Sequence, residues 1–149
     1  MLDKMESSAE YERRQAMWKA LLQSGGPSGL SPDILRQLGV YGGAQGIWVD
    51  KTRTVSLTPS GHGVAVGLLH TGSHYADDLR EDGIIYHYPA TRRPPGRDAA
   101  EIAAVKAAGE IGLPMFVIAH PRPGASTRNV ALGWVASFDD RSRQFLILF

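Results

Sequence analysis

Cysteine is missing from all 149 residues. That absence excludes a disulfide framework, a thiol nucleophile and any thiolate zinc site. It fits a cytoplasmic protein. Long apolar runs are missing too. None is long enough to span a bilayer, and the N-terminus is polar with charges of both signs, unlike a secretory leader. No membrane partner is therefore expected. Net charge is nearly missing, at +1, so the total speaks neither for nor against nucleic acid. Its distribution is more informative. Residues 1–90 carry eight basic and ten acidic side chains, whereas residues 91–149 carry eight basic and five acidic. A local basic face binds DNA without a basic total.

What is present suits a single globular domain. Hydrophobic residues make up 43% and charged residues 21% of the chain, and its length allows a sizeable core. Ser7 with Glu10 has capping-box spacing, and Tyr11, Met17, Trp18, Leu21 and Leu22 recur at helical intervals. Gly25-Gly26 ends that helix. Ser31-Pro32-Asp33 starts a second, short one that closes at Gly39. The glycine-rich loop Tyr41–Gly46 enters a strand at Ile47. It lacks the Lys-Ser/Thr ending of a phosphate loop and leads to a strand rather than a helix, which excludes that motif and a dinucleotide fingerprint. Its glycines serve either a tight turn or the close approach of another backbone.

Further strands are predicted around Thr54–Leu57, Val64–Leu69, Ile84–Tyr88, Met115–Ile118, Val130–Phe138 and Gln144–Phe149. An acidic turn, Asp77–Gly83, precedes the third of these. A helix is predicted from a cap at Asp98, with Glu101 three residues on and Gly112 and Pro114 at its end.

Two basic, proline-rich loops stand out. Tyr86–Arg97 holds three arginines, a histidine and two tyrosines, with no carboxylate before Asp98. Its prolines fix φ and remove backbone donors, so it pays little ordering entropy on gripping a polyanion. Charge runs of this kind also occur as solvated faces. His120–Arg128 is the second such loop.

Catalytic signatures are scarce. There is no His-Glu-x-x-His sequence and no Gly-x-Ser-x-Gly elbow. His70 and His74 have the spacing of a helical metal pair, but Gly72 and the preceding strand argue against a helix there. Asp77, Asp78, Glu81 and Asp82 are explained by a solvated turn at lower cost than by a hard cation, which needs converging oxygens. No ββα metal hairpin can be assembled. The expectation is a binding module without catalytic residues, metal or cofactor.

The run His74-Tyr75-Ala76-Asp77-Asp78, then Glu81-Asp82-Gly83-Ile84-Ile85-Tyr86-His87-Tyr88-Pro89, then Arg92-Arg93 and the helix near Asp98, carries a resemblance. It resembles the N-terminal region of bacterial modification-dependent (type IV) HNH restriction endonucleases. In particular it looks like their sulfur-binding domain, which recognises DNA with a phosphorothioate backbone. The same order of acidic turn, strand and Tyr-x-Tyr-Pro is similar to the SRA domain, a reader of methylated cytosine. The resemblance runs from about Tyr41 to Phe138.

For the sulfur-binding family it implies an apolar pocket formed here by Tyr88 and Pro89, with Ala90 or Thr91 as the small wall. Arg92, Arg93 and Arg97 would supply a cationic rim, with His74, and His120, Arg122 and Arg128 in the second loop. Sulfur is larger, softer and less hydrated than oxygen, so ring CH groups and methyls favour it by dispersion and easy desolvation. Gly42-Gly43 stand where a basic or polar base-reading residue is expected, leaving Tyr41 and Gln45 for the base edge and the backbone. For an SRA reader, Tyr75, Tyr86 and Trp48 would instead build a cage for a flipped base.

The expectation is an α+β domain, with N-terminal helices over 1–39 and a sheet-rich part over 40–149. Its sheet should be curved and mostly antiparallel, a PUA/SRA-like partial barrel with one packed helix. The resemblance implies a bacterial defence role in binding phosphorothioate duplex DNA. Its alternatives are a methylcytosine reader or a generic PUA-like nucleic-acid module. It further implies a C-terminal HNH nuclease domain in a longer parent protein, through which the chain could dimerise.

Overall fold

The computed structural model describes residues 2–42, 46–72 and 77–149, with side chains from Met5 onward. Helix α1 (Leu2–Gln23) and helix α2 (Pro32–Gln37) lead into strand β1 (Ile47–Val49). A short helix α3 (Lys51–Thr54) and a 3-10 turn then precede β2 (Ala65–His70), β3 (Asp78–Arg80) and β4 (Gly83–His87). Helix α4 (Pro95–Ile111), β5 (Met115–Ala119), β6 (Asn129–Asp139) and β7 (Gln144–Leu148) complete the chain. The seven strands form one curled sheet in the order β1-β2-β5-β6-β7-β4-β3, a half-barrel with packed helices. Only β2 and β5 run parallel; every other pair is antiparallel. The predicted α+β class with a mostly antiparallel partial barrel therefore holds.

The curl has a local cause in β6. Its first half pairs with β5 through Gly133, and its second half pairs with β7 from Trp134 onward. The strand thus leaves one neighbour and takes up another at a single corner. Gly133 sits at that corner, where a Cβ would lie 2.7 Å from Ile147 Cγ2. A register shift between Val135 and Ser137 adds the bulge that bends a sheet.

Each face of the sheet is covered by helices. In β5, Met115 and Val117 point to one face while Phe116 and Ile118 point to the other. The first face takes Ala104, Val105, Ala107 and Ala108 of α4, whose small side chains let the helix sit close to the strands. The second takes Met17 and Leu21 of α1, Leu35 of α2 and the following Val40 and Tyr41.

α1 also sends a charge inward. Arg14 is fully buried, and its Nη1 donates to the carbonyls of Ala65 and Pro114, both at 2.8 Å. Its Nε donates to Glu10 at 2.7 Å. These bonds staple the helix to the entries of β2 and β5.

Several local readings of the sequence are corrected. α1 begins five residues before Ser7, so Ser7 lies inside the helix and Glu10 serves Arg13 and Arg14 rather than a cap. Thr54–Leu57 is helical, not a strand. Asp50 caps that segment through Arg53 N, and Thr54 Oγ1 donates to Asp50 O at 2.7 Å, so local side-chain bonds override the β-branched run. Asp98 is not the cap of α4. Pro94 holds that position and Pro95 starts the helix, where a missing N–H costs nothing. Part of the acidic turn forms the edge strand β3. Ser31 does cap α2, accepting from Ile34 N, and Gly112 ends α4 as predicted.

Candidate nucleic-acid interface

A cavity of about 600 Å³ opens where the C-terminal end of β2 meets β1, β4 and the start of α4. Ile47, Leu69 and Pro89 are its apolar lining, and Tyr86, Asp77 and Glu101 are among its polar lining. Ala90, Thr91, Arg92 and Arg93 form the rim. Gly46 lets the chain pass tightly over Tyr86, since a Cβ there would lie 2.5 Å from the phenol oxygen. That phenol donates to the carbonyl of Leu69 at 3.3 Å.

Asp77 is the buried polar centre of this wall, with its side chain 4% exposed. Its Oδ1 accepts from the backbone N–H of His87 at 2.8 Å and lies 3.1 Å from His87 Nδ1. Its Oδ2 lies 3.0 Å from His70 Nδ1. A carboxylate can only accept, so both rings turn an Nδ1–H toward it and keep Nε2 for other partners. Two histidines and one backbone amide thus fix the carboxylate beside the cavity. Among the described residues, no three His, Asp or Glu side chains are grouped to hold a metal ion.

The rim is built as a clamp. Thr91 N and Oγ1 both donate to Asp98 at 2.8 Å. Arg93 then grips Glu101 through both terminal nitrogens, at 2.9 and 2.7 Å, and reaches Asp98 at 2.6 Å. Burial pushes the Asp98 carboxyl upward, but the bonds from Thr91 and Arg93 outweigh it and hold it below the usual range. The hydrogen bond to Glu101 raises Arg93 still further, against desolvation. Arg93 is therefore a structural tie whose charge is already answered by two carboxylates. Arg92 and Arg97 are exposed and make no side-chain hydrogen bond or ion pair among the described residues. They are the cations of this loop left for a polyanion.

Of the four residues expected to wall a sulfur pocket, Pro89, Ala90 and Thr91 line the cavity and Tyr88 does not. Tyr88 is buried against Phe145, with ring centroids 4.5 Å apart, and its hydroxyl donates to Asp140 at 2.8 Å. Burial first, and then that bond, raise the phenol above its ordinary pKa. Tyr88 follows the last residue of β4, and its ring belongs to the same buried cluster as Tyr86. Trp48 packs on the opposite face of β1 from Ile47. Gln45, His74 and Tyr75 lie outside the described residues.

The second loop is brought alongside α2. Leu30 and Arg128 exchange backbone hydrogen bonds at 3.0 and 2.7 Å, an isolated bridge that docks the loop on the segment leading into the helix. Here a smaller cavity of about 270 Å³ is lined by Tyr41, His120, Arg128 and Arg36, among others. It adjoins the first, because Leu69 and Thr71 line both. Arg122 is exposed on the loop and lines neither cavity. Sequence reasoning missed Asp77 and Glu101 as lining of the first cavity, Arg36 as lining of the second, and His70 and His87 as the partners of Asp77. Their only signal was polarity, at strand ends for His70, Asp77 and His87 and in helices for Arg36 and Glu101, and the elements that gather them are far apart in the chain.

Fold and site define an α+β domain with a ligand-sized cavity at the rim of a half-barrel, lined in part by Arg92, which is unpaired among the described residues. No known protein family and no curated protein matches the chain by sequence. Among solved structures it is similar to a modification-dependent TagI restriction endonuclease, with a TM-score of 0.57 and 17% identity. The likeness covers 82% of this chain and 48% of that one, so the chain spans about half the length of that protein. At this identity the shared property is the fold. No helix among the described residues is long and apolar enough to cross a membrane.

Proposed function

We propose that the chain is the recognition module of a modification-dependent restriction enzyme, which binds duplex DNA and receives the modified group in the cavity beneath Arg92. The observation that carries this reading is the cavity itself: about 600 Å³, lined by apolar Ile47, Leu69 and Pro89 together with the fixed carboxylate of Asp77. Such a volume suits a whole nucleobase turned out of the duplex, far better than a single atom. A cytosine offers its N4 amino group as a donor, and Asp77 supplies the matching acceptor. Ile47 and Pro89 provide surface for a ring or methyl group. The likeness to a modification-dependent restriction endonuclease supports the class of ligand. Methylated cytosine is thus the leading modification.

A second reading keeps the phosphorothioate. Pro89, Ala90 and the Thr91 methyl bring CH groups to the rim, where a backbone sulfur would meet them first. Discrimination of about 1–3 kcal/mol, roughly 10–100-fold, is what one small apolar contact supplies. Asp77 disfavours this reading, since it repels a group that keeps its negative charge. In both readings cleavage belongs to a separate nuclease domain, and this chain alone with Mg²⁺ or Mn²⁺ is expected to leave DNA intact.

Titration of three matched duplexes at fixed salt tests the proposal: unmodified, cytosine-methylated and phosphorothioated. Preference for the methylated duplex, with increased fluorescence of a 2-aminopurine placed at the turned-out position, is the expected result. Preference for the sulfur duplex alone, lost in Pro89→Ala, would transfer the function to the second reading. Equal binding of all three would leave a generic nucleic-acid module.

A further inference from the structure

The smaller cavity differs from the larger one in charge. Its lining holds two guanidinium groups, Arg36 and Arg128, together with His120 and Tyr41, and contains no carboxylate. Arg36 has one weak ion pair, 3.7 Å from Asp33, and both partners are largely exposed. Arg128 spends Nη1 on the carbonyls of Ala125 and Thr127, at 2.7 and 2.9 Å. Its Nε and Nη2 make no hydrogen bond among the described residues.

His120 Nδ1 is buried without a hydrogen-bond partner among the described residues. A buried, unsatisfied ring nitrogen is costly unless something arrives to meet it. Burial, then the nearby Arg128 and His70, push His120 below its ordinary pKa. Protonation of the ring is thus disfavoured beside Arg128, and an anion bound there would relieve that repulsion.

We infer that this cavity is a phosphate-binding subsite, in which Arg36, Arg128 and His120 together hold one tetrahedral anion. It rests on the proposed DNA-binding reading for the source of that anion, a backbone phosphate next to the group held in the larger cavity. The shared wall of Leu69 and Thr71 places the two sites side by side, as the base and phosphate of one strand require. Two converging guanidiniums bind phosphate with charge-assisted, directional bonds. The contact would position the strand and add affinity without reading sequence.

Two measurements separate this inference from the reading beneath it. The first follows the imidazole signals of His120 by NMR while inorganic phosphate is added to the full chain. Saturable movement, abolished in Arg36→Gln, is expected. Arg36 is more than half exposed, so that variant should fold. The second compares wild type and Arg36→Gln on the preferred duplex across salt concentrations. The variant should bind about tenfold more weakly, with its salt slope reduced by about one phosphate. Its ratio of modified to unmodified binding should not change. Phosphate binding without any duplex binding would keep the subsite, assign it to free phosphate or a nucleotide, and sink the DNA reading. A His120 signal indifferent to phosphate, with an unchanged salt slope in Arg36→Gln, would overturn the subsite even if modified DNA still binds.

Discussion

Arginine plays three different roles in this molecule, and burial and partners decide which. Arg14 is fully buried and ties α1 to two strand entries. Replacing it by methionine leaves two carbonyls and the buried Glu10 short of donors, and should cost about 3–5 kcal/mol in chemical denaturation. Burial pushes Glu10 upward, yet Arg13 and Arg14 hold it below its ordinary value of 4.5. A carboxylate depressed in the folded state stabilises above its unfolded pKa and loses that contribution as pH falls through the folded value. Wild-type stability should therefore drop as the pH goes below about 4.5, and Glu10→Gln should show a shallower acid limb. Arg93 is the second kind, committed to Asp98 and Glu101. Arg92 is the third, exposed and unpaired among the described residues. Arg92→Ala should weaken modified and plain duplexes together and lower the salt slope by about one. Arg93→Ala should instead lower the melting temperature, and Arg92→Ala should leave it nearly unchanged.

Among the elements, β6 does most to shape the site. It turns the corner of the sheet at Gly133, and by curling the sheet it brings β4 round to face the end of β2. A Cβ at Gly133 would press on Ile147 Cγ2 at 2.7 Å and approach Leu148 O at 3.3 Å. Gly133→Ala should cost about 1–3 kcal/mol, the usual penalty of overpacking, as measured by thermal unfolding. The start of α4 is the other shaping element. Its first turn supplies Asp98 and Glu101, which hold the rim loop through Thr91 and Arg93. The same glutamate and aspartate that look like helix-capping residues are used sideways, to pin a loop.

Across the whole molecule, two helical layers share one sheet. α1 and α2 cover the face carrying Val66, Phe116, Ile118 and Val130, and α4 covers the other. Deleting residues 2–23 would uncover that first face and remove Arg14 from its carbonyls. The shortened chain is expected to lose cooperative thermal unfolding and to bind a hydrophobic dye. Retention of a sharp transition would show that the N-terminal helix is dispensable. The two cavities adjoin at the end of β2, so a strand of DNA presented there would meet a carboxylate-walled chamber and a cationic one in succession.

Periodicity and punctuation in the sequence were enough for the α+β class, six of the seven strands, the Ser31 cap and the end of α4. Those features rest on interactions between residues close in the chain. The helical state of Thr54–Leu57 was not legible, because the Thr54 hydroxyl is held by a carbonyl four residues back and an amide ten residues on. Tyr88 and Pro89 were legible as a neighbouring pair, but not as residues facing different surroundings. That depends on the packing of the Tyr88 ring against Phe145 of β7, while Pro89 lines the cavity. The basic loops were visible as composition. Which arginines are answered by carboxylates, and which are left to meet a polyanion, was settled only when α4 and α2 packed against them. Charge and local propensity are properties of the chain, whereas a cavity is made by strands whose pairing reaches across most of its length.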